Sequence, residues 1–180
     1  MAPTTEGRRG IRRPLDAVLV LFLASHIPVT LFFDAQIVLP ASWFPDTLRD
    51  LSRLYLSWFN DPLVGAPSAW FRSLVWCELL FQLPFFFLGT YAMLQGRRWI
   101  RLPALLYVVH VLTTMVPIGA VLCTAMDGPR GPITAMQRLH LVLLYAPYAV
   151  LPALLGARAF SLPASPSSSP SRSPQARKHR

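Results

Sequence analysis

Long apolar runs separated by short polar segments organise this chain. Four runs of about 20 residues or more lie at 15–39, 70–94, 102–124 and 139–160. Each run is long enough to cross a hydrocarbon core of about 30 Å as an α-helix. Each also contains proline, which membrane helices tolerate because neighbouring helices and polar side chains satisfy the freed carbonyl groups. The pattern predicts an all-α integral membrane protein, a four-helix bundle whose proline kinks leave room for a pocket.

The first run has an alternative interpretation as a cleaved signal peptide, because arginines precede it. A signal peptide has a shorter apolar region, and this one would have to tolerate His26, Pro28 and Asp34. A membrane-spanning helix is therefore the favoured interpretation. The chain then divides into a basic N-terminal tail at 1–14, a four-helix domain at 15–160, and a Ser/Pro/Arg-rich tail at 161–180 that is expected to be disordered.

The segment between the first two runs is amphipathic. Apolar residues recur there at spacings of three and four, which is the period of a helix. They are Leu48, Leu51, Leu54, Tyr55, Trp58 and Phe59. The turn residues Asn60, Asp61 and Pro62 end the pattern. We expect a helix of about four turns that lies on the membrane surface or covers the mouth of the bundle as a lid.

Composition and charge support the membrane class. The chain is 53% hydrophobic and only 14% charged, and its net charge of +9 lies in segments that flank the apolar runs. This distribution favours membrane orientation over nucleic-acid binding. With both termini in the cytosol, twelve basic residues face the cytosol and five face the lumen. The five are Arg49, Arg53, Arg72, Arg130 and Arg138, and the twelve are Arg8, Arg9, Arg12, Arg13, Arg97, Arg98, Arg101, Arg158, Arg172, Arg177, Lys178 and Arg180.

No pattern in the sequence indicates a metal or a cofactor. Zinc-ligand spacing, the P-loop, GxGxxG and GxSxG are all absent from the chain. The two cysteines, Cys77 and Cys123, both lie inside apolar runs. We therefore interpret them as small core residues and not as a disulfide.

Two carboxylates lie inside the predicted membrane helices, where an ionisable group costs several kcal/mol and is a functional candidate. Asp34 is about 7 Å from the lumenal end of its helix, and Glu78 is about 12 Å from the lumenal end of the second. No lysine or arginine is available at these depths. We predict that the two groups approach within hydrogen-bonding distance and share one proton, with Glu78 protonated and Asp34 charged. The alternative is that Asp34 merely ends the first helix at the interface.

Further polar residues fall on the same helix faces as these acids. They are His26 and Thr30 on the first helix, Gln82 on the second, Tyr107, His110 and Thr114 on the third, and Tyr145 and Tyr148 on the fourth. Any one of them alone would be explained by ordinary hydrogen bonding between helices. Their convergence with two acids indicates a shared interior that is wet or filled by a ligand. The aromatic residues Phe81, Phe85, Phe86 and Phe87 are interpreted instead as lipid-facing or packing residues.

Several stretches of the chain closely resemble the emopamil-binding (EXPERA) family. They lie at 25–34, 61–63, 69–71, 77–86, 99–101, 110–118 and 145–148, and the run CELLFQLPFF at 77–86 is highly specific. The similarity covers about residues 20 to 160. The resemblance implies a four-helix protein of the endoplasmic reticulum that encloses a pocket opening laterally to lipid. Such a pocket binds cholesterol, oxysterols and synthetic amines, and the protein is linked to control of the Niemann–Pick cholesterol exporter.

The resemblance also assigns roles to residues of this chain. Asp34 resembles the carboxylate that pairs with a ligand ammonium, and Glu78 resembles the acid that hydrogen-bonds to it. Asp61 resembles a second acid of the family with a structural role. The candidate ligand-binding residues are Asp34, Glu78, Gln82, Thr114, Tyr148, Tyr107, Tyr55, Leu51 and His26.

Location and assembly are less closely specified. The C-terminal tail is unlike the lysine-rich tail of the family, although residues 177–180 (RKHR) resemble a basic retrieval signal. We expect an endoplasmic reticulum membrane protein with both termini cytosolic, and leave the nuclear envelope and lysosomal membrane as further locations. Homodimerisation is also left open.

Two functions are carried forward. The first is a receptor for sterols and hydrophobic amines that regulates cholesterol homeostasis, and the second is a sterol double-bond isomerase. An isomerase needs a neutral acid beside a developing carbocation, a role that Glu78 could fill with Asp34 as the ion stabiliser. The catalytic relatives resemble this chain less, because they carry histidine where this chain has Leu74 and have a fifth helix. A transporter is a weaker third interpretation, because no internal repeat is visible.

Overall fold

Helices of membrane-spanning length form where the apolar runs predict them. The computed structural model of the protein describes residues 14–161. Within that range, four helical segments are long and apolar enough to cross a membrane: Pro14–Ile37, Ala69–Leu94, Arg98–Thr124 and Ala135–Phe160. The prediction of an all-α four-helix membrane protein is confirmed. The predicted tails lie almost wholly outside the described residues.

The first span is not one continuous α-helix. Helix α1 (Pro14–Phe32) is followed by a 3₁₀ turn at Asp34–Ile37, so the α-helix ends earlier than the predicted limit near residue 39. Proline at the first position of α1 costs no hydrogen bond, because the amide there has no partner within the helix. Asp34 therefore lies at the junction between two helical geometries, and not within a regular α-helix.

The second span contains a π-helical segment where one continuous helix was expected. Helix α4 (Ala69–Cys77) passes into a π-helix at Glu78–Gln82 and then into α5 (Leu83–Leu94). Pro84 explains the change, because it has no N–H for the carbonyl four residues before it and its ring crowds that carbonyl. The N–H of Leu83 bonds to the carbonyl of Glu78, five residues earlier. The candidate acid Glu78 is thus the first residue of the widened turn.

The third and fourth spans pack along each other. Helix α6 (Arg101–Thr124) follows a 3₁₀ turn at Arg98–Ile100, and α7 extends over Ala135–Phe160. Thr134 caps the N-terminus of α7. The helix begins four residues before the predicted start, because its first turn contains polar residues and an apolar run does not include them. Arg138 donates to the carbonyls of Leu122 and Ala125 at 2.8 and 2.6 Å, and so caps the end of α6.

The predicted amphipathic helix is present as α2 (Asp46–Phe59). It ends at Asn60, whose φ of 50° and ψ of 41° place it in the left-handed region. The short helix α3 (Pro62–Gly65) follows, and a two-stranded hairpin of β1 (Asp127–Gly128) and β2 (Gly131–Pro132) lies beside it. We call the end of the bundle that carries α2 the lid end. The opposite end, where Pro14 and Ser161 lie, is the terminal end.

Two clusters of buried apolar residues form the core. One joins α1, α5, α6 and α7 around Leu19, Leu23 and Phe86. The other joins α3, α4, α6 and α7 around Leu63 and Leu141. Between the first and last helices, Arg158 bonds to Asp16 with an Nε–Oδ1 distance of 2.8 Å. This ion pair ties α1 to α7 at the terminal end.

The prediction for the cysteines is partly wrong. Cys77 is half-buried and Cys123 is exposed, so Cys123 is not a core residue. Both thiols are free, and the sequence analysis had not paired them in a disulfide. Cys123 lies in the last turn of α6. The apolar run covers every face of this helix, but only one face packs against the protein, so membership of the run does not show that a residue is buried.

Candidate functional site

A cavity of about 540 Å³ lies inside the bundle beneath α2. Its walls include members of both apolar clusters, such as Phe86 and Tyr107 from the first and Phe71 and Ile118 from the second. Nine residues were named as ligand-binding candidates, and all nine line this one cavity. They are Asp34, Glu78, Gln82, Thr114, Tyr148, Tyr107, Tyr55, Leu51 and His26. The residues that line the cavity are otherwise mostly apolar, as in sites for hydrophobic ligands.

The two carboxyl groups meet on one wall of the cavity. Asp34 reaches it from the 3₁₀ turn after α1, and Glu78 reaches it from the π-helix. Their side chains lie close enough to interact with each other. Thr30, one turn before Asp34, also donates to Oε1 of Glu78 at 2.6 Å. Asp34 thus follows the end of α1, as the alternative interpretation expected, and also forms part of the cavity wall.

The cavity contains acids without a counter-cation. None of the described residues that line it is a lysine or an arginine. Within residues 14–161 there is also no group of three histidine, cysteine, aspartate or glutamate side chains that could hold a metal ion. A charged carboxylate in this setting is stabilised by hydrogen bonds, by sharing a proton, or by a ligand that brings a positive charge.

An aromatic wall faces the carboxyl pair. Tyr107 stacks on Phe85 with ring centroids 4.4 Å apart, and Tyr148 packs edge-on against His26 at 4.9 Å. Nδ1 of His26 donates to the carbonyl of Phe22 at 2.6 Å, which fixes the orientation of the ring. These rings give a hydrophobic ligand large flat surfaces to pack against.

The lid helix α2 forms the roof of the cavity. Leu48, Leu51 and Tyr55 line it from above, and the Tyr55 hydroxyl donates to Oδ2 of Asp61 at 2.6 Å. Tyr145, on the opposite wall, donates to the same oxygen at 2.9 Å. Burial, and then the neighbouring Asp61 carboxylate, raise the pKa of Tyr55, so its hydroxyl remains a donor.

Asp61 itself does not line the cavity. It is fully buried, and its other oxygen accepts from the backbone N–H groups of Leu63 and Val64 at 2.8 and 3.3 Å. It therefore caps α3 while it holds one tyrosine of α2 and one of α7. These contacts give Asp61 a structural role and not a direct one in the cavity.

Two interpretations made from the sequence require correction. Phe86 is buried and lines the cavity, so it is not only a packing residue, whereas Phe81 and Phe87 are exposed as expected of lipid-facing residues. His110 shares a helix face with Tyr107 in the pattern but does not line the cavity. One face of a helix is wide enough for some of its residues to pack against a neighbouring helix instead.

Sequence reasoning missed the roles of Thr30 and Asp16. Thr30 was placed on the polar stripe but not among the candidate site residues, although its position four residues before Asp34 was a usable signal. Asp16 was not recognised as a buried acid, and its partner Arg158 is 142 residues away. No local pattern could have indicated that pairing.

Fold and site together define a helical membrane protein with an acidic cavity in its interior. The chain belongs to the EXPERA (EXPanded EBP superfamily) family, whose model matches residues 47–159. It is 45% identical over 156 residues to Sigma intracellular receptor 2 of Homo sapiens, which covers 83% of this chain and 89% of the relative. Identity to Sigma intracellular receptor 2 of Xenopus tropicalis is 43% over 149 residues, or 79% of this chain and 86% of the relative.

A more distant relative has a different name. Efficient mitochondria targeting-associated protein 19 of Schizosaccharomyces pombe is 33% identical over 110 residues, which is 57% of each chain. The similarity seen in the sequence motifs is confirmed by these matches, and the higher identities are to proteins named as receptors.

Proposed function

We propose that this protein is an intracellular membrane receptor that binds sterols and hydrophobic cationic amines in the cavity beneath α2. The observation that carries the proposal is the Asp34–Glu78 pair, which lies in a largely apolar cavity with no cationic side chain among its lining residues. A desolvated ammonium needs a counter-charge, and Asp34 supplies one. The relatives named as receptors support the same class.

The cavity suits both kinds of ligand. A protonated amine places its N–H beside the Asp34 carboxylate, and its apolar body packs against the aromatic wall of Tyr107 and Tyr148. A sterol has a rigid apolar body and a single hydroxyl, which can donate to or accept from the polar groups of the carboxyl pair. Residence in the endoplasmic reticulum, regulation of cholesterol homeostasis and contact with the Niemann–Pick cholesterol exporter remain parts of this proposal, and homodimerisation stays open.

A sterol isomerase is the alternative, because isomerases also belong to this superfamily. The same acid pair would then protonate one carbon of the sterol and stabilise the resulting cation. Leu74 lies in the cavity wall one turn before Glu78, where the catalytic relatives are expected to carry histidine. An apolar side chain there cannot transfer a proton, so the receptor is the favoured function.

The experiment compares Asp34→Asn with Glu78→Gln in purified protein. We expect Asp34→Asn to weaken amine binding more than about one hundredfold, because the ammonium loses its counter-charge inside a low-dielectric cavity. Glu78→Gln retains a neutral hydrogen-bonding group and is expected to weaken it less. Radioligand competition gives the amine affinities, and photolabelling by a sterol probe gives sterol binding.

The two ligand classes serve as controls for each other. A neutral sterol has no cation to lose, so its labelling is expected to change far less in Asp34→Asn than amine binding does. Equal loss of both in a variant that is still folded would refute the proposal. Conversion of a sterol substrate to its double-bond isomer by the wild type, abolished in Glu78→Gln, would favour the enzyme instead.

A further inference from the structure

Helix α2 has an apolar face that is wider than the part of it that covers the cavity. Counting about 100° per residue around the helix, Leu48, Leu51 and Tyr55 lie together on the side that lines the cavity. Leu54 and Trp58 follow directly beside Leu51 on the same face. They do not line the cavity, and they are 44% and 65% exposed. One part of the apolar face therefore covers the cavity, and the adjacent part is left uncovered by the described residues.

The charged residues of α2 lie on the opposite side of the helix. Asp46 pairs with Arg49, and Asp50 pairs with Arg53. These four are the charged residues of α2, so the helix has no net charge. A helix with one apolar and one charged side can lie in the plane of a membrane interface, with its apolar side toward the acyl chains. Because α2 has no excess of basic residues, its attraction to a bilayer depends on apolar surface and not on anionic lipid.

Both ends of α2 are attached beside the membrane spans. The Gln36 side chain, at the end of the first span, donates to the carbonyl of Leu48 at 3.3 Å. The ring of Phe59 packs edge-on against His140, near the start of the fourth span, with ring centroids 6.4 Å apart. The helix therefore lies at the level where the spans end, which is where tryptophan is enriched in membrane proteins. Trp43, in the turn before α2, is 70% exposed at the same level.

Contacts with the bundle hold α2 only loosely. None of its residues is buried. Its side chains reach the rest of the bundle mainly through the hydrogen bond from Tyr55 to Asp61 and through ring contacts of Tyr55 and Phe59. An element with few buried apolar contacts opens at a low cost in free energy. A second contact, outside the bundle, would therefore have a large effect on how often the roof of the cavity opens.

We propose that α2 docks on the lipid bilayer through Leu54, Trp58 and Trp43, and that this contact holds the roof of the cavity in place. The partner is the headgroup region of the leaflet at the lid end, and zwitterionic lipid is sufficient. The sequence pattern left the membrane surface and the mouth of the bundle as alternative places for this helix, whereas one continuous apolar face serves both. Docking is a property of the ligand-free protein, so it does not rest on the proposed function.

Spin labels on α2 test docking in nanodiscs of phosphatidylcholine. Cysteine is introduced by Leu54→Cys, Trp58→Cys or Asp50→Cys in a chain that carries Cys77→Ala and Cys123→Ala. Oxygen concentrates among the acyl chains and a neutral nickel chelate stays in water, so the ratio of their collision rates with the label measures depth. We expect the labels at positions 54 and 58 to meet oxygen more often, and the label at position 50, the matched control on the charged side, to meet nickel more often.

Two outcomes would overturn the inference. Equal access of the nickel chelate to all three labels would show that the apolar face is bare in a bilayer and open to a partner protein. Contact with oxygen that appears only when phosphatidylserine is added would show that charge, and not apolar surface, brings α2 to the membrane. We expect added phosphatidylserine to leave the collision ratios unchanged, because α2 has no net charge.

Hydrogen exchange tests whether docking holds the roof. Leu54→Gln combined with Trp58→Gln removes the apolar contact, and glutamine is itself a good helix former. We expect the amides of α2 to exchange severalfold faster in this variant than in the wild type, while the amides of the four spans stay protected. Arg53→Gln is the matched control, because it places the same side chain on the charged side of α2, where Arg53 is exposed. It should exchange at the wild-type rate. Exchange in the double variant that equals the control would show that the bundle alone holds α2, and would refute the role of the bilayer.

Discussion

Among individual residues, Asp61 joins three elements of the lid end. Its carboxylate accepts from Tyr55 of α2, from Tyr145 of α7 and from two backbone N–H groups of α3. Asp61→Asn replaces one oxygen by an amide nitrogen, which presents donors to two hydroxyls that already donate. Each hydrogen bond to a buried charge contributes about 1.5–3 kcal/mol, so we expect a loss of about 3 kcal/mol or more. A fall in the thermal unfolding temperature in detergent would measure it.

Asp50→Asn is the matched control for this prediction. Asp50 lies on the exposed face of α2 and pairs with Arg53, also exposed. Exposed ion pairs contribute about 0–1 kcal/mol, so this variant should unfold close to the wild-type temperature. A similar loss in both variants would mean that Asp61 is no more important than a surface charge.

Tyr55 gives a prediction of pH dependence. Its pKa is raised in the folded protein by burial and by Asp61, whereas an unfolded tyrosine titrates near pH 10, at about its unperturbed pKa. The hydrogen bond from Tyr55 therefore contributes fully below about pH 10, and the contribution falls as the pH rises further, because only the unfolded state releases its proton. The difference in unfolding temperature between wild type and Tyr55→Phe should shrink above that pH. A difference that stays constant up to pH 11 would contradict it.

At the scale of elements, the sequence predicted those that depend on local pattern. The apolar runs and the period of α2 are properties of neighbouring residues, and so is the turn at Asn60. The π-helix at Glu78–Gln82 was not predicted, although Pro84 was a signal, because a proline can also kink or end a helix. The hairpin between α6 and α7 was missed because it is stabilised by contacts with Asn60, about 70 residues away.

That hairpin fixes the position of the lid helix. The Asn60 side chain donates to the carbonyl of Gly131 at 3.0 Å and accepts from the N–H of Arg130 at 2.9 Å. Gly128 lies so close that an added Cβ would overlap with the backbone carbonyl of Asn60. We expect Gly128→Ala to displace the hairpin from the end of α2, which should lower the unfolding temperature and also weaken amine binding through the displaced roof of the cavity.

Gly119→Ala is the matched glycine variant. A Cβ at Gly119 in α6 would meet nothing within 4 Å, and alanine favours a helix over glycine by about 1 kcal/mol. This variant should be as stable as the wild type or slightly more so. If Gly128→Ala were equally well tolerated, the close approach between hairpin and lid would not determine the position of α2.

On the scale of the whole molecule, the cavity depends on packing that the sequence only partly reveals. The helix-face pattern placed polar residues of every span in one interior, and eight of them line the cavity. The pattern could not show that Phe86 lines the cavity or that His110 does not. Which residues face the cavity depends on how each helix is rotated about its own axis relative to its neighbours. It also could not pair Asp16 with Arg158, which brings the first and last helices together.

The pairing of Asp16 with Arg158 bears on topology, because it places both described ends of the chain at one end of the bundle. An even number of spans has the same consequence. In the topology predicted from the sequence, twelve basic residues belong to the side of the termini and five to the lid side, so the positive-inside rule predicts that the terminal end faces the cytosol.

Glycosylation mapping tests this orientation. Acceptor sites placed in flexible inserts near Asp50 of α2 and near Arg130 of the hairpin should be modified in microsomes, because both lie at the lid end and only the lumen contains the transferase. The same insert at either terminus should remain unmodified, as should one between Arg97 and Arg98, which connects the second and third spans at the terminal end. The connecting insert controls for the insert itself, since it interrupts a short loop between two spans as the hairpin insert does. Modification at the C-terminus with none at the hairpin would reverse the orientation, and would place the carboxyl pair nearer to the cytosol than to the lumen.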